Sequence, residues 1–337
     1  MTVDCGDRMR KQRTGETALV AKVPPLALLS VAPGTVRHCR TAFRRFASWC
    51  AIHGRNTIPA SPETVVLFLA DMAERYRPST INSMLTTIAL AHRAAAQPFD
   101  RRLYSPIIEG IRRTHGAVPR LVAPITVGEL RTIVGALPDN LRGVRDRALL
   151  TVGFAGALRC SEIVGLDIGA STASSLGSVV IDAEGLRIVL NRSKGDQLGK
   201  GLTKWLPRGG NPCPVQALER WLAGANITSG AVFRGLQVGG YLSQKRLHEN
   251  AASLIVKRSV YRSALHVGLS EEQARAHAAQ VSSHSLRVGF VTSAVLAGVP
   301  SEDIASHVGW SRTDLVFHYT RQLDPFKNNP AQLVLSL

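Results

Sequence analysis

The sequence predicts a mainly helical chain with one small β-sheet, folded as two domains. Apolar residues recur at helical spacing between residues 34 and 115, and helix-start signals divide that stretch. GAVPRLVAP, residues 116 to 124, places two prolines and a glycine between two helical patterns. SVVIDAEGLRIVLNRSK, residues 178 to 194, switches to two β-branched runs joined by a turn at Asp182 to Gly185. With 337 residues and 45% hydrophobic composition, the chain can fill two cores.

The boundaries follow in order. Residues 1–30 read as a disordered basic tail, residues 31–116 as a helical domain, 117–125 as the linker and 126–337 as the second domain. In the first domain Val36, Phe43, Phe46, Ala47 and Cys50 form one apolar stripe. Ser61-Pro62, Ser79 and Ser105-Pro106 each open a new helix with a serine N-cap, two of them followed by proline at the first helical position, so four helices result. Arg37, Arg40, Arg44 and Arg45 crowd the first helix, and at that spacing they do not all share one face. In the second domain Thr126 and Glu129 make a capping box. Asn140 to Ala157 reads as a helix carrying Leu149, Leu150, Val152 and Phe154, and Thr203 to Leu206 adds a third strand. From Pro214 to the end the pattern reads as helical. The apolar tail AQLVLSL, residues 331 to 337, either docks on a neighbouring protomer or covers its own domain.

Charge narrows the function. Lys and Arg number 41 against 24 Asp and Glu, a formal net charge of +17 and a pI near 10.5. Residues 1 to 115 hold 17 of those basic and 8 of those acidic residues, so the excess is shared along the chain rather than confined to a tail. Neutralising phosphates is the commonest use of such an excess, and both domains are expected to face one polyanion. The five cysteines, Cys5, Cys39, Cys50, Cys160 and Cys213, form no C-x-x-C pair, so neither a disulfide framework nor a zinc site is indicated. No apolar run approaches the roughly 18 residues of a membrane span, and the start MTVDCGDRMRKQR lacks a signal-peptide core. A cytoplasmic protein with no membrane partner is expected.

Two short segments carry chemistry. GALRCSEIVGL, residues 156 to 166, sets Arg159 three before Glu162 inside apolar sequence, where a charged pair needs a partner or a purpose. HSLR, residues 284 to 287, pairs His284 with Arg287 at the start of another helix. Alone it means little: ten histidines in an arginine-rich chain give such a pair by chance, and His318 to Arg321 is a second. The ordered set is more specific: Arg159 and Glu162, Lys194 at the end of a hairpin strand, His284 and Arg287, Trp310, then Tyr319.

This set resembles the tyrosine recombinases of the phage integrase family. The likeness lies in GALRCSEIVGL, HSLRVGF, AGVPSEDI and GWSRTDLVFHYTRQLD, and in the spacings of 3, 23 and 9 residues across His284, Arg287, Trp310 and Tyr319. It covers about residues 30 to 325, weakly in the first half and strongly in the second. Most family members carry histidine where this chain has Trp310; His307 lies three residues too early for that position and reads as structural. The resemblance implies a C-shaped clamp on duplex DNA, built from a helical core-binding domain and a catalytic domain. It implies site-specific recombination through a 3′-phosphotyrosyl intermediate, four protomers on two sites, and no cofactor, metal or ATP.

The chemistry of the residues agrees. Attack of a phenol on a phosphodiester builds charge on the non-bridging oxygens, which two arginines, Arg159 and Arg287, can clamp without a metal. Tyrosine must lose its proton during attack while the leaving 5′ oxygen gains one. His284 and Glu162 suit the first transfer and Lys194 the second, with Glu162 alternatively an orienting group. Lys200 shares the loop with Lys194 and is either a phosphate contact or the acid itself; Lys204, beside it, reads as solvated. Trp310 can donate its indole N–H but accepts no proton. Arg37, Arg40 and Arg44 are the candidate duplex contacts of the first domain. Tyr319 shares the helical spacing of Leu315 and Val316, so a core role competes with the nucleophilic one. Two other functions compete with recombination: a type IB topoisomerase-like DNA-relaxing enzyme and a catalytically silent DNA-binding protein.

Overall fold

A computed structural model describes residues 33–116, 122–170, 172, 174–191, 201–237, 239–320 and 330–335. The expected tail at residues 1–30 lies outside the described residues, as do residues 117–121 of the expected linker and residues 192–200, which include Lys194 and Lys200. The chain divides into two compact units, Met1–Arg120 and Leu121–Leu337.

The first unit contains α1 (Pro33–Ile52), α2 (Pro62–Ala73), α3 (Pro78–Ala94), a 3-10 turn (Arg101–Tyr104) and α4 (Ser105–His115). Ser61 caps α2, its side chain accepting from the Thr64 N–H at 3.2 Å, with Pro62 in the first turn. The third helix opens two residues earlier than a cap at Ser79 predicts, on Pro78 with Arg77 as N-cap, because the fixed φ of proline already suits a first turn, and the fourth is capped by Tyr104 rather than Ser105. The core gathers Phe46, Cys50, Phe68, Leu69, Ile81, Met84, Leu85 and Ile88, with Phe46 edge-on to Phe68 at 5.0 Å. Ala47 of the expected stripe is only half-buried, while Ala42 and Trp49 are buried in its place. Buried His92 fastens the loop before α2: Nε2 accepts from the Ala60 N–H at 2.9 Å and Nδ1 meets the Ile88 carbonyl at 2.9 Å.

In the second unit Ala123 and Ile125 are already hydrogen-bonded to the Gln280 and Ser285 carbonyls. Then come α5 (Val127–Gly135), α6 (Leu141–Ala155) and α7 (Cys160–Val164), and the capping box of Thr126 and Glu129 opens α5 as its spacing predicts. Strands β1 (Leu166–Ile168), β2 (Gly177–Ile181), β3 (Gly185–Leu190) and β4 (Leu202–Pro207) precede α8 (Pro214–Gly224) and β5 (Gly230–Ala231). They form one sheet in the order β4-β3-β2-β1-β5, with β1 and β2 parallel and the other pairs antiparallel. The expected hairpin and third strand are present. The expectation of helix from Pro214 onward is not met: β5, then β6 (Arg234–Leu236) and β7 (Leu242–Arg246), interrupt it. These strands are short and carry almost no β-branched residues, so tertiary pairing rather than local propensity makes them.

The chain finishes with α9 (Glu249–His266), α10 (Glu271–Gln280), α11 (His284–Leu296), α12 (Ser301–Val308), α13 (Asp314–Thr320) and α14 (Pro330–Leu335), on which Val334 and Leu335 are exposed. The main core packs α6 (Leu149, Leu150, Val152) with Trp221, Ile163 and Ile255. A smaller cluster of Ala157, Val291, Ile304, Ala305, Val308 and Val316 lies under α12 and α13. No helix among the described residues is long and apolar enough to cross a membrane.

Candidate active site

Arg159 occupies the N-cap of α7, with extended backbone. Glu162, one turn on, accepts from its backbone N–H at 2.8 Å and from its guanidinium at 2.8 Å. The Glu162 side chain is 3% exposed and that of Arg159 is 25%, so the carboxylate is sealed in while the arginine still reaches solvent. A buried carboxylate held on two donors fixes the arginine's direction.

Arg287 comes from the first turn of α11 and is 1% exposed. Its guanidinium donates to the Ala157 carbonyl at 2.7 Å and the Val308 carbonyl at 3.1 Å, and lies 5.4 Å from the centre of the Trp310 ring. The turn offering the first carbonyl is strained: Ala157 has φ 45°. Gly309 ends α12 with φ 80°, and its N–H closes on the Ala305 carbonyl at 2.9 Å. A Cβ there would stand 2.5 Å from Leu202 of β4, so glycine is required both for the left-handed turn and for the close approach.

His284 is partly buried at the start of α11. Burial holds its pKa below the usual imidazole value, and the positive charges of Arg287 and Arg159 add to that effect. It is therefore neutral at pH 7 and able to accept a proton. His307 is likewise shifted down, mainly by burial; it stacks on Phe290 at 4.7 Å and its Nε2 meets the Ala155 carbonyl at 2.8 Å, which fits the structural role expected of it.

The structure thus brings together Arg159, Glu162, His284, Arg287 and Trp310. Lys194 and Lys200 fall outside the described residues. The backbone of Tyr319 lies in α13, beside buried Val316, and its side chain, like that of Arg37, falls outside the described residues. Arg40 and Arg44 are exposed on α1. Two features escaped sequence reasoning. Arg101, Arg102, Arg112 and Arg113 line an open groove with Asn82 on the first unit. Lys204, expected to be solvated, lies within β4 and is 2% exposed, with Nζ donating to the His307 carbonyl. The strand alternation of buried Lys204 and Leu206 with exposed Trp205 was the available signal.

Residues 124–325 match the phage integrase family. An integrase/recombinase xerD homolog of Selenomonas ruminantium is 31% identical over 308 residues, covering 89% of this chain and 85% of that protein. Recombinase cre of Escherichia phage P1 is 23% identical over 295 residues, covering 83% and 82%. Among solved structures, the Tn1549 transposon integrase in complex with transposon right end DNA superposes with a TM-score of 0.55 at 13% identity, covering 90% of this chain and 93% of that one. XerH recombinase bound to its palindromic difH substrate gives 0.51 at 15% identity, covering 81% and 71%. With a family match across more than half its length and a relative this similar over nearly all of it, the chain belongs to the phage integrase family of tyrosine recombinases.

Proposed function

We propose that this site-specific DNA recombinase cuts duplex DNA by attack of the Tyr319 hydroxyl on the scissile phosphorus. The Oη–P bond forms as the P–O5′ bond breaks, leaving a 3′-phosphotyrosyl link and a 5′ hydroxyl that then attacks the partner strand's phosphotyrosine. Arg159 and Arg287 hold the non-bridging oxygens, neutral His284 accepts the tyrosine proton, and Lys194 gives a proton to O5′. Glu162 orients Arg159, and Trp310 donates its indole N–H. Each phosphoester replaces another, so the chemistry calls for neither ATP nor a metal. The observation that carries this reading is the gathering of Arg159 with Glu162, His284 with Arg287, and Trp310 from separate elements into one cationic cluster.

Duplex DNA is the substrate; the Tn1549 transposon integrase that this chain resembles is in complex with transposon right end DNA. Arg37, Arg40 and Arg44 contact phosphates, joined by the four arginines of the groove on the first unit, and Lys200 adds a contact in the second. The working assembly is a homotetramer on two sites in the nucleoid, with the segment from residue 331 docking on a neighbouring protomer. Residues 31–116 form the core-binding domain and 126–337 the catalytic domain.

The test is an SDS-resistant protein–DNA adduct on a nicked suicide duplex, carrying a site selected by binding from random-sequence DNA. Wild type should give an adduct that peptide mapping places on Tyr319. Tyr319→Phe should give none while shifting the duplex normally on a gel. An adduct mapped to Tyr241 or Tyr261, or none from wild type, overturns the reading. DNA relaxation without strand exchange would instead favour a topoisomerase.

A further inference from the structure

The cluster behind the two arginines contains a cation that the reaction just outlined does not use. Lys204 enters from β4 and is buried, and its ammonium donates to the carbonyl of His307. The next carbonyl, of Val308, accepts from Arg287. Two cations are thus seated on consecutive carbonyls at the C-terminus of the eight-residue α12, where the helix dipole is negative. Two residues beyond Val308 comes Trp310, under the Arg287 guanidinium. Leu202, two residues before Lys204 on the same strand, is the side chain packed against Gly309. The end of α12 is therefore held by both β4 and Arg287.

We propose that Lys204 is a positioning residue of the cleavage reaction, tying the β3–β4 hairpin to the turn that carries Trp310 and holding a third positive charge behind Arg159 and Arg287 for the scissile phosphate. This rests on the reading of the site given above.

Charge balance supports it. The groups acting on Lys204 are Arg287 from α11, Arg159 and Glu162 from α7, and His307 from α12, which is neutral at pH 7. Two cations and one carboxylate thus act on Lys204, and a phosphodiester, whose charge doubles in the transition state, brings a further anion. Without that anion the lysine is held at a cost: burial, then repulsion from Arg287, draws its pKa from 10.5 to about 7, against the pull of Glu162. An arriving phosphate reverses the balance and draws a proton onto Lys204, so DNA binding near pH 7.5 takes up a proton.

Two measurements test this. The first is calorimetry of the full chain binding a duplex with the selected site, at pH 7.5, in buffers of different ionisation enthalpy. It uses a His284→Gln background so that the imidazole contributes nothing. A proton uptake of about half a proton or more per protomer is expected, and it should vanish when Lys204→Met is added; no uptake overturns the proposal even if Lys204→Met fails to fold. The second is single-turnover cleavage by Lys204→Met with His284 intact, after matching its melting curve and duplex affinity to wild type. A rate about tenfold or more below wild type is expected near neutral pH, equally on a normal substrate and on one with a 5′-bridging sulfur. Cleavage within twofold of wild type from pH 6 to 9 overturns the proposal. So does rescue by the sulfur substrate, which would make Lys204 the acid that protonates O5′. Wild type forming its adduct on Tyr319 in the same assay keeps any such failure separate from failure of the active-site reading.

Discussion

Glu162 holds Arg159 at both ends, its carboxylate taking the backbone N–H and the guanidinium of the same residue at 2.8 Å each. The pair caps a helix and, in the proposed reaction, aims a phosphate ligand, so the two roles can be separated by substitution. Glu162→Gln keeps an oxygen for one donor and removes the charge. Its melting temperature should change little while single-turnover cleavage falls about 10–100-fold, by analogy with the loss of one preorganised electrostatic contact. Glu162→Ala leaves the arginine without a partner and should also cost about 1–3 kcal/mol, less than a fully buried pair because Arg159 is partly exposed. Equal cleavage by Glu162→Gln and wild type would reduce the carboxylate to a cap.

Gly309 predicts a stability effect with two separable parts. Gly309→Ala must adopt φ near 80° and must push Leu202 aside. The left-handed backbone costs about 1–2 kcal/mol for a residue with a Cβ, and the contact adds to it. Thermal melts should show a loss of a few degrees. Adding Leu202→Ala should recover the steric part alone, so the double variant lies above the sum of the singles. Strict additivity would mean that α12 and β4 do not meet as described.

Acid should loosen the second unit from two imidazoles. His284 and His307 both have folded-state pKa values below the usual 6.5, so below that pH the unfolded chain binds protons that the folded chain does not. Stability therefore falls as pH drops below 6.5 and continues falling until each folded pKa is passed. Lys204 works in the same direction over a higher window: stability rises from about pH 7 towards 10 as the unfolded lysine keeps a proton the folded one has shed. Melts of His307→Gln should show a shallower loss between pH 6.5 and 5 than wild type; an unchanged slope would remove His307 from the account.

Much of this was legible in the chain because local chemistry decides it. Ser61 before Pro62, the box of Thr126 and Glu129, and the β-branched runs on either side of Asp182 to Gly185 act over a few residues, and each element stands where its signal lies. Arg159, Glu162, His284 and Arg287 were visible because charged residues recur at fixed spacing in apolar surroundings. Lys204 was not, because its burial depends on α12 and α11 arriving from about 100 and 80 residues away, and a lysine near a loop is ordinarily solvated. The strands after Pro214 were hidden for the same reason. Leu242 to Arg246 carries no β-branched residue, and only its pairing with Arg234 to Leu236 makes it a strand.

The identity of the proton donor to O5′ yields the sharpest prediction. Lys194 falls in the sequence between β3, which ends at Leu190, and β4, which begins at Leu202. If it protonates the leaving oxygen, Lys194→Ala should cleave a normal strand about 100-fold or more slowly, within the range of general acid catalysis. The same variant should cleave a 5′-bridging phosphorothiolate at close to the wild-type rate, because a thiolate leaves without a proton. Lys200→Ala should be slow on neither substrate and should weaken duplex binding, with a smaller dependence on salt as one phosphate contact is lost. The reverse pattern, with Lys200→Ala rescued by sulfur and Lys194→Ala merely binding less tightly, would exchange the two assignments. Both reactions should proceed unchanged in saturating EDTA; a loss of cleavage restored by magnesium would show that the arginine clamp does not act alone on the developing charge.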